Sequence, residues 1–265
     1  MKKILSFLPF FLLLLLCSCD QISEDDRYVE LPAVDVQRCV LLEEFTGQNC
    51  PNCPSAHRTI EALQEQYGDA FIPVSIHAGG FAIAEGEYEP YFQTFMTPEG
   101  DQYANNFGIT AYPSGVINRN SGVKLHTEWA TLVRSELERP ARLGISLSAE
   151  VSEDTLTVSY QLQPEATMQG SLQLWLLESN IVSIQTDGKD IITDYVHNNV
   201  YRASLNGVGG QPLALTSSVY HSGSASIQLR PDWNPQNLSV VAFYATDQGI
   251  EQAALLRLSS SQPAE

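Results

Sequence analysis

Two cysteines separated by two residues, Cys50 and Cys53, carry the most specific chemistry in this sequence. They follow an apolar run at residues 40–45, and a helical pattern begins at Cys53. The N-terminus of a helix offers unpaired N–H groups and a positive dipole end, and both stabilise a thiolate. The spacing also allows the two sulfurs to come within disulfide reach. The sequence therefore predicts a redox dithiol, with Cys50 as an exposed nucleophile and Cys53 as a more buried resolving thiol.

Two other positions strengthen this prediction through a resemblance. Residues 43–54, EEFTGQNCPNCP, resemble the active-site segment of the thioredoxin superfamily, in which an acid lies on the strand beneath the dithiol. Glu44 has the position of that acid, six residues before Cys50. Residues 107–113, FGITAYP, resemble the segment that ends in the family's cis-proline. The resemblance implies that Glu44 relays the proton of Cys53 and that Pro113 helps to hold an extended substrate backbone.

The elements around these residues follow the order of an α/β thioredoxin-like domain at residues 35–139. Buried strands are predicted at residues 39–45 and 71–77, with a helix at residues 53–67 between them. A short helix at 98–107, a hairpin at 115–126 and a closing helix after Thr127 follow. Residues 78–98 exceed what a minimal domain of this kind needs. We expect them to form an insertion near the dithiol face.

The pattern changes at Pro140, where apolar and polar residues begin to alternate. Seven or eight short strands separated by turns predict an all-β sandwich at residues 140–260. No set of catalytic residues is evident in this segment. Its two histidines, His197 and His221, have no obvious partner in sequence and are interpreted as structural.

Other roles for the cysteines remain open. In an exported protein, Cys50 and Cys53 are also consistent with a purely structural disulfide. Because His57 lies one turn after Cys53, a copper or zinc site with His77 as a fourth ligand is a further alternative. The favoured prediction includes neither a metal nor a cofactor. Cys39 begins the strand that ends near Cys50, roughly 20 Å away, so these two cannot pair.

The N-terminus predicts export and lipid attachment. Lys2 and Lys3 precede an apolar run at residues 4–16, which suits a secretory signal better than a membrane span. The sequence Leu16-Cys17-Ser18-Cys19 resembles a lipoprotein processing site, which implies a signal peptide at residues 1–19 with Cys19 as the lipidated residue. Acylation of Cys17 and an uncleaved N-terminal anchor are the alternatives. Residues 20–34 form an acidic tether that also resembles a surface-export signal.

The charge balance excludes one class of partner. The chain has 31 acidic and 14 basic residues and a formal charge of −17, and loss of Lys2 and Lys3 with the signal would make it −19. Nucleic-acid binding requires clustered Lys and Arg, which this sequence lacks. The predicted link to the membrane is therefore the N-terminal lipid alone.

The order of segments supports a narrower resemblance. A lipoprotein signal, the EEFTGxxCxxCP segment and a β-rich tail containing residues 197–203, HNNVYRA, resemble the Omp-twenty-eight-related family of outer-membrane lipoproteins. This resemblance implies an outer-membrane, lipid-anchored location, with the cell surface as one option. The predicted function is thiol–disulfide exchange on exported proteins, so the partners would be exported thiols and disulfides. The alternative is an adhesin-type lipoprotein that binds an extracellular protein and keeps a structural disulfide.

Overall fold

A computed structural model describes residues 36–84, 86–87 and 93–258, which all lie in one compact unit of the chain. This part of the protein is β-rich and contains a mixed sheet of 9 strands. The predicted signal peptide, the lipid site at Cys19 and the acidic tether lie outside the described residues.

The central strands of the large sheet hold the residues of interest. β1 (Val40–Thr46) runs parallel to β2 (Phe71–His77) and antiparallel to β3 (Ser114–Ile117), which pairs with β4 (Val123–Lys124). Every residue of β1 and β2 is buried. Both faces of these strands are therefore covered, and this explains why their sequences are apolar runs without alternation.

Helices cover both faces of this region. α1 (Cys53–Tyr67) and α3 (His126–Leu137) pack on one face, and α2 (Pro98–Phe107) packs on the other. The structure thus confirms the helices predicted at residues 53–67 and 98–107. The closing helix is also present, but it begins at His126 with Leu125 as its N-cap, two residues before the start that Thr127 predicted. No helix in the described ranges is long and apolar enough to cross a membrane.

The same sheet continues into the second half of the chain. Its remaining strands are β7 (Met168–Glu178), β10 (Val200–Ser204), β11 (Gln211–Leu215), β13 (Leu238–Thr246) and β14 (Gly249–Arg257). The strand order is β14-β13-β7-β10-β2-β1-β3-β4, and β11 also pairs with β7. Because β2 lies next to β10, strands from before and after residue 140 share one sheet.

A second sheet faces part of the first. It contains β5 (Leu143–Ser152), β6 (Thr155–Pro164) and β12 (His221–Gln228), in the order β12-β6-β5. Alternate side chains of β6, including Leu156, Val158 and Leu162, pack against β7 and β13. Burial of one face explains the period-two pattern of this segment.

A separate hairpin is formed by β8 (Ile181–Asp187) and β9 (Asp190–His197). The sequence predicted one strand from Tyr195 to Ala203, and this prediction was wrong. The chain breaks at Asn198 and Asn199, and Asn199 has a φ of 55°. The break separates β9 from β10 and directs the hairpin away from the large sheet. β11 was also missed.

Candidate functional site

The two cysteines form a disulfide at the N-terminus of α1. Cys50 lies in the turn after β1, Cys53 is the first residue of the helix, and their Cα atoms are 5.4 Å apart. Asn52 is the N-cap residue, but its side chain makes no capping hydrogen bond. The disulfide therefore occupies the end of the helix where backbone N–H groups lack intrahelical partners.

The β8–β9 hairpin covers this disulfide. In the turn, the carbonyl oxygens of Gln48 and Pro51 accept hydrogen bonds from the backbone N–H groups of Thr186 (2.8 Å) and Gly188 (2.9 Å). The Gln185 amide donates to the carbonyl oxygens of Gly47 and Cys50, at 3.3 and 3.1 Å. These bonds fix the tip of the hairpin on the turn that carries Cys50.

Burial of the disulfide corrects one prediction. Cys50 is 1% exposed and Cys53 is fully buried, whereas the turn position of Cys50 predicted an exposed sulfur. The prediction was wrong because it considered only the local turn. The cover comes from residues more than 130 positions further along the chain.

The predicted insertion at residues 78–98 contributes to the same cover. Its start contacts the turn through a hydrogen bond from the Asn49 N–H to the Phe81 carbonyl oxygen, 2.9 Å long. A Cβ atom at Gly47 would collide with the backbone of Phe81, so only glycine permits this approach. Further along, the Gln48 amide donates to the carbonyl oxygen of Gln93 at 3.3 Å.

Glu44 is fully buried, on the face of β1 that packs against α1. One carboxylate oxygen accepts a hydrogen bond from the Ser75 hydroxyl at 2.9 Å. The other oxygen, Oε1, lies 3.3 Å from His57 Nε2 and has no hydrogen-bond partner of good geometry among the described residues. A buried carboxylate with a free oxygen and a titratable neighbour is able to exchange a proton.

His57 connects Glu44 to the hairpin. Its Nε2 lies 3.1 Å from the Thr46 hydroxyl, and its Nδ1 lies 2.7 Å from the hydroxyl of Tyr195 on β9. Burial lowers the pKa of His57, but the nearby Glu44 carboxylate outweighs this effect, so the pKa lies above its ordinary value. Burial, with further contributions from Glu61 and Glu44, raises the pKa of Tyr195 to about 12.

A small cleft of about 40 Å³ opens beside this pair, between α1 and β9. Two other histidines, His77 and His197, line it with ring centroids 5.6 Å apart. Both ring nitrogens of His77 lack a partner in the described part of the chain. Burial lowers the pKa of His77 far below its ordinary value and that of His197 to about 3, so both rings are neutral near pH 7.

The remaining candidates have simpler surroundings. The Tyr112–Pro113 peptide bond is cis, and Pro113 is buried. Phe45, near the end of β1, pairs with Ser114, so Pro113 lies beside the strand that leads into the Cys50 turn. Cys39 is a free, half-buried thiol. Within the described ranges, no group of three or more His, Cys, Asp or Glu side chains could hold a metal ion.

Sequence reasoning identified Glu44 but missed its partners. His57 was interpreted as a residue of the helix surface or as a metal ligand, although its position one turn after Cys53 placed it near the dithiol. Tyr195 gave no signal, because it lies 138 residues from His57 in sequence. The family-like segment at residues 197–203 has a structural role, since the Asn199 carbonyl oxygen accepts a 2.8 Å hydrogen bond from the Ser75 N–H.

The fold and the site define a β-rich protein with a disulfide sealed at a helix N-terminus. The family described as Outer membrane protein Omp28 matches residues 100–259, which is more than half of the chain. This protein belongs to the Omp28 family and is an outer membrane protein, which confirms the resemblance stated from the sequence and the predicted location. No curated protein sequence matches the chain.

Two solved structures share the fold at low sequence identity, and a third that matches is a domain of a protein named Omp28. HBP35 of Porphyromonas gingivalis is 17% identical with a TM-score of 0.68, covering 86% of this chain and 78% of that one. The protein AGR_C_4864 from Agrobacterium tumefaciens is 12% identical with a TM-score of 0.52, covering 87% and 100%. A domain of the outer membrane lipoprotein Omp28 from Porphyromonas gingivalis is 18% identical with a TM-score of 0.33, covering 46% and 91%.

Proposed function

We propose that this protein carries out thiol–disulfide exchange on exported proteins through Cys50 and Cys53. The observation that carries the proposal is the buried Glu44 carboxylate, which keeps one oxygen free beside His57. His57 lies four residues after Cys53, one turn along the same face of α1. A disulfide that serves only as a covalent link needs no titratable groups in this position.

The exchange follows from the chemistry of the two thiols. In the reducing direction, the Cys50 thiolate bonds to one substrate sulfur, and the substrate S–S bond breaks to release a thiolate. The Cys53 thiolate then attacks Cys50 Sγ and releases the second substrate thiolate. Two electrons pass to the substrate, and the proton of Cys53 passes to Glu44. The oxidising direction reverses each step.

The surroundings of the disulfide support a thioredoxin-like assignment for this half of the chain. A parallel β1–β2 pair, an antiparallel β3, a helix that begins at Cys53 and a cis-proline next to β3 are the parts that such a site requires. In this assignment Pro113 would hold the backbone of the substrate. The hairpin tip would have to move before a substrate could reach Cys50, because Cys50 is 1% exposed.

The same burial favours a second candidate function. A disulfide sealed beneath hydrogen bonds to the hairpin and the 78–98 segment is what a structural link would show. The protein would then be a surface lipoprotein that binds an extracellular protein. In both cases we propose that lipidated Cys19 attaches the chain to the membrane.

The reduction potential of Cys50–Cys53 separates the two functions. The protein without its signal, residues 21–265, is equilibrated with thiol buffers, and free thiols are alkylated and counted. Cys39→Ala provides the matched background, because Cys39 is a free thiol that would otherwise be alkylated as well. A potential above about −270 mV supports exchange, and one below about −300 mV supports a structural disulfide.

A trapping experiment tests the substrate class. With Cys53→Ala, a mixed disulfide on Cys50 cannot be resolved and persists. Exported proteins that accumulate on Cys50, and not in the Cys50→Ala, Cys53→Ala double variant, would be its substrates. Absence of any trapped protein, together with a low potential, would contradict the exchange function.

A further inference from the structure

Cys53 has no direct exchange of protons with water, because its side chain is fully buried. A thiolate left in such a place is costly, so the cleavage of the disulfide must be accompanied by delivery of a proton. The groups that could deliver it are three side chains, each of which lies within 3.3 Å of the next. They are the Glu44 carboxylate, the His57 imidazole at 3.3 Å, and the Tyr195 hydroxyl 2.7 Å from the other ring nitrogen.

This row ends in the cleft between α1 and β9. The side chain of His57 is 13% exposed, and Tyr195 is half-buried on the cleft wall. Glu44 itself has no access to solvent. Both side chains that contact Glu44, the Ser75 hydroxyl and the His57 imidazole, line the cleft. Only the imidazole can carry a charge, so the orientation of the His57 ring bears directly on proton transfer between Glu44 and the cleft.

Tyr195 fixes that orientation. An imidazole that contacts a carboxylate through Nε2 is held in place by what its Nδ1 contacts. In this protein the Nδ1 partner is the phenol of Tyr195, contributed by the hairpin and not by the elements that carry the cysteines. Because the pKa of Tyr195 is raised to about 12, its hydroxyl keeps its proton throughout the neutral pH range.

The base of the hairpin, which carries Tyr195, has contacts that differ from those of its tip. His197, two residues after Tyr195, is buried and lies 3.1 Å from the carbonyl oxygen of Ile184, a contact within the hairpin. Directly after the hairpin, the carbonyl oxygen of Asn199 accepts a hydrogen bond from the Ser75 N–H of β2. These contacts are separate from the hydrogen bonds that hold the tip at residues 185–188 on the Cys50 turn.

We propose that Tyr195 is a positioning residue for the disulfide chemistry, which holds His57 against Glu44 so that this pair carries the proton of Cys53 to and from the cleft. The inference rests on the proposed function of the same site. In the reducing direction for the protein, an external thiolate bonds to Cys50 Sγ, the Cys50–Cys53 bond breaks, and the electron pair stays on Cys53 Sγ. The His57 imidazolium gives a proton to the Glu44 carboxylate, Glu44 passes it to Cys53 Sγ, and His57 takes another proton from the cleft.

The titration of His57 can be followed because the neighbouring histidines and tyrosine do not change charge near neutral pH. On β2 and β9 these are His77, His197 and Tyr195, and on β1 and α1 they are Glu44, Glu61 and Arg58. The pKa values of His77 and His197 are lowered by burial and that of Tyr195 is raised by it, so none of these three titrates between pH 6 and pH 8. His57, with its raised pKa, is the histidine of this group that holds a proton to the highest pH.

The test compares Tyr195→Phe with Ser183→Ala. Ser183 pairs with Tyr195 across the hairpin, and its hydroxyl accepts a 3.1 Å bond from the Gln48 amide, so each variant removes one hydroxyl that anchors the hairpin. Only Tyr195→Phe affects His57. Reduction of the disulfide by dithiothreitol is followed from pH 6 to pH 8, and each variant rate is divided by the wild-type rate, which cancels the ionisation of dithiothreitol.

We expect the Tyr195→Phe ratio to fall about threefold as the pH rises through the titration of His57, because the imidazolium loses a charge-assisted hydrogen bond and titrates about half a unit lower. The Ser183→Ala ratio should be independent of pH. If both ratios are flat, Tyr195 only anchors the hairpin and the inference is overturned. If dithiothreitol reduces none of the three proteins without denaturant, the exchange function itself fails, and the inference fails with it.

Discussion

Adjacent glutamates on β1 face opposite sides of the sheet and have opposite surroundings. Glu43 and Glu44 are both fully buried. Glu43 accepts two hydrogen bonds from Arg119, at 2.6 and 2.7 Å, and four aromatic rings surround the Arg119 guanidinium, that of Phe243 with its centroid at 4.8 Å. Glu44 contacts the Ser75 hydroxyl and His57, and keeps one oxygen free.

Under the proposed function, the two acids of this strand have different tasks. The Glu43–Arg119 pair satisfies both carboxylate oxygens with a permanent cation, so it can hold the fold but has no proton to transfer. Glu44 faces an imidazole, which can gain and lose a proton. Glu43 and Glu44 are equally buried, so what distinguishes them is the identity of the partner.

The largest expected effect tests the structural side of this comparison. Glu43→Gln leaves the buried Arg119 guanidinium without its counter-charge, and we expect the free energy of unfolding to fall by about 3 kcal/mol. The matched change, Glu44→Gln, keeps an oxygen for Ser75 and should alter stability by less than about 1 kcal/mol. Urea unfolding measures both. Equal losses in the two variants would remove the distinction between the two acids.

The next effect concerns access to the disulfide, which the tip of the β8–β9 hairpin covers. Gln185→Ala removes two hydrogen bonds that close the hairpin tip on the Cys50 turn. At roughly 0.5–1.5 kcal/mol for each bond, opening should become easier and reduction by dithiothreitol about tenfold faster. Val182→Thr, at a 63% exposed position of the same hairpin, is the control and should leave the rate unchanged. A wild-type rate in Gln185→Ala would contradict a cover formed by the hairpin tip.

A smaller effect arises from the neutral histidines beside Glu44. Because the pKa of folded His197 is lowered to about 3, the unfolded chain binds a proton that the folded state does not as pH falls below about 6.5. Stability should therefore fall from about pH 6.5 towards pH 3. His57 adds no slope well below pH 6.5, because there it is protonated in both the folded and the unfolded state.

Buried His77 and His197 both contribute to this loss of stability in acid. His197→Gln removes the contribution of His197, so the free energy of unfolding should fall less steeply with pH, by about 1 kcal/mol per pH unit. Urea unfolding at several pH values below 6.5 measures the slope. His221→Gln is the control, because His221 lies on β12 and does not line the cleft. Identical slopes in all three proteins would show that burial of His197 does not resist protonation.

The smallest effect is a reversal in the direction of the pKa shift of His57. In the wild type the Glu44 carboxylate keeps the pKa of His57 above its ordinary value despite burial. In Glu44→Gln burial is opposed only by the weaker effect of Glu61, and the pKa should lie below that value. NMR titration of the His57 ring measures it, with Glu43→Gln as the control that leaves the pKa raised. A raised pKa in Glu44→Gln would show that another group determines it.

Local features of the sequence predicted the elements near the cysteines well. The helix at Cys53, the buried strands on either side of it and the position of Glu44 all follow from periodicity and motif spacing, because each depends on residues within one or two turns of the chain. The strand predicted from Tyr195 to Ala203 failed for a local reason as well. Asn199 adopts a positive φ, which an apolar pattern does not reveal.

The sequence by itself determined where the dithiol lies, that an acid stands beneath it, and to which family the chain belongs. Only the tertiary structure decided that Cys50 is buried, that Glu43 and Glu44 have different partners, and that Tyr195 contacts His57. Each of these depends on contacts between segments far apart in sequence, 76 residues for Glu43 and Arg119 and 138 for His57 and Tyr195. Such contacts are set by how the hairpin and sheets pack together, and no pattern within a single segment encodes them.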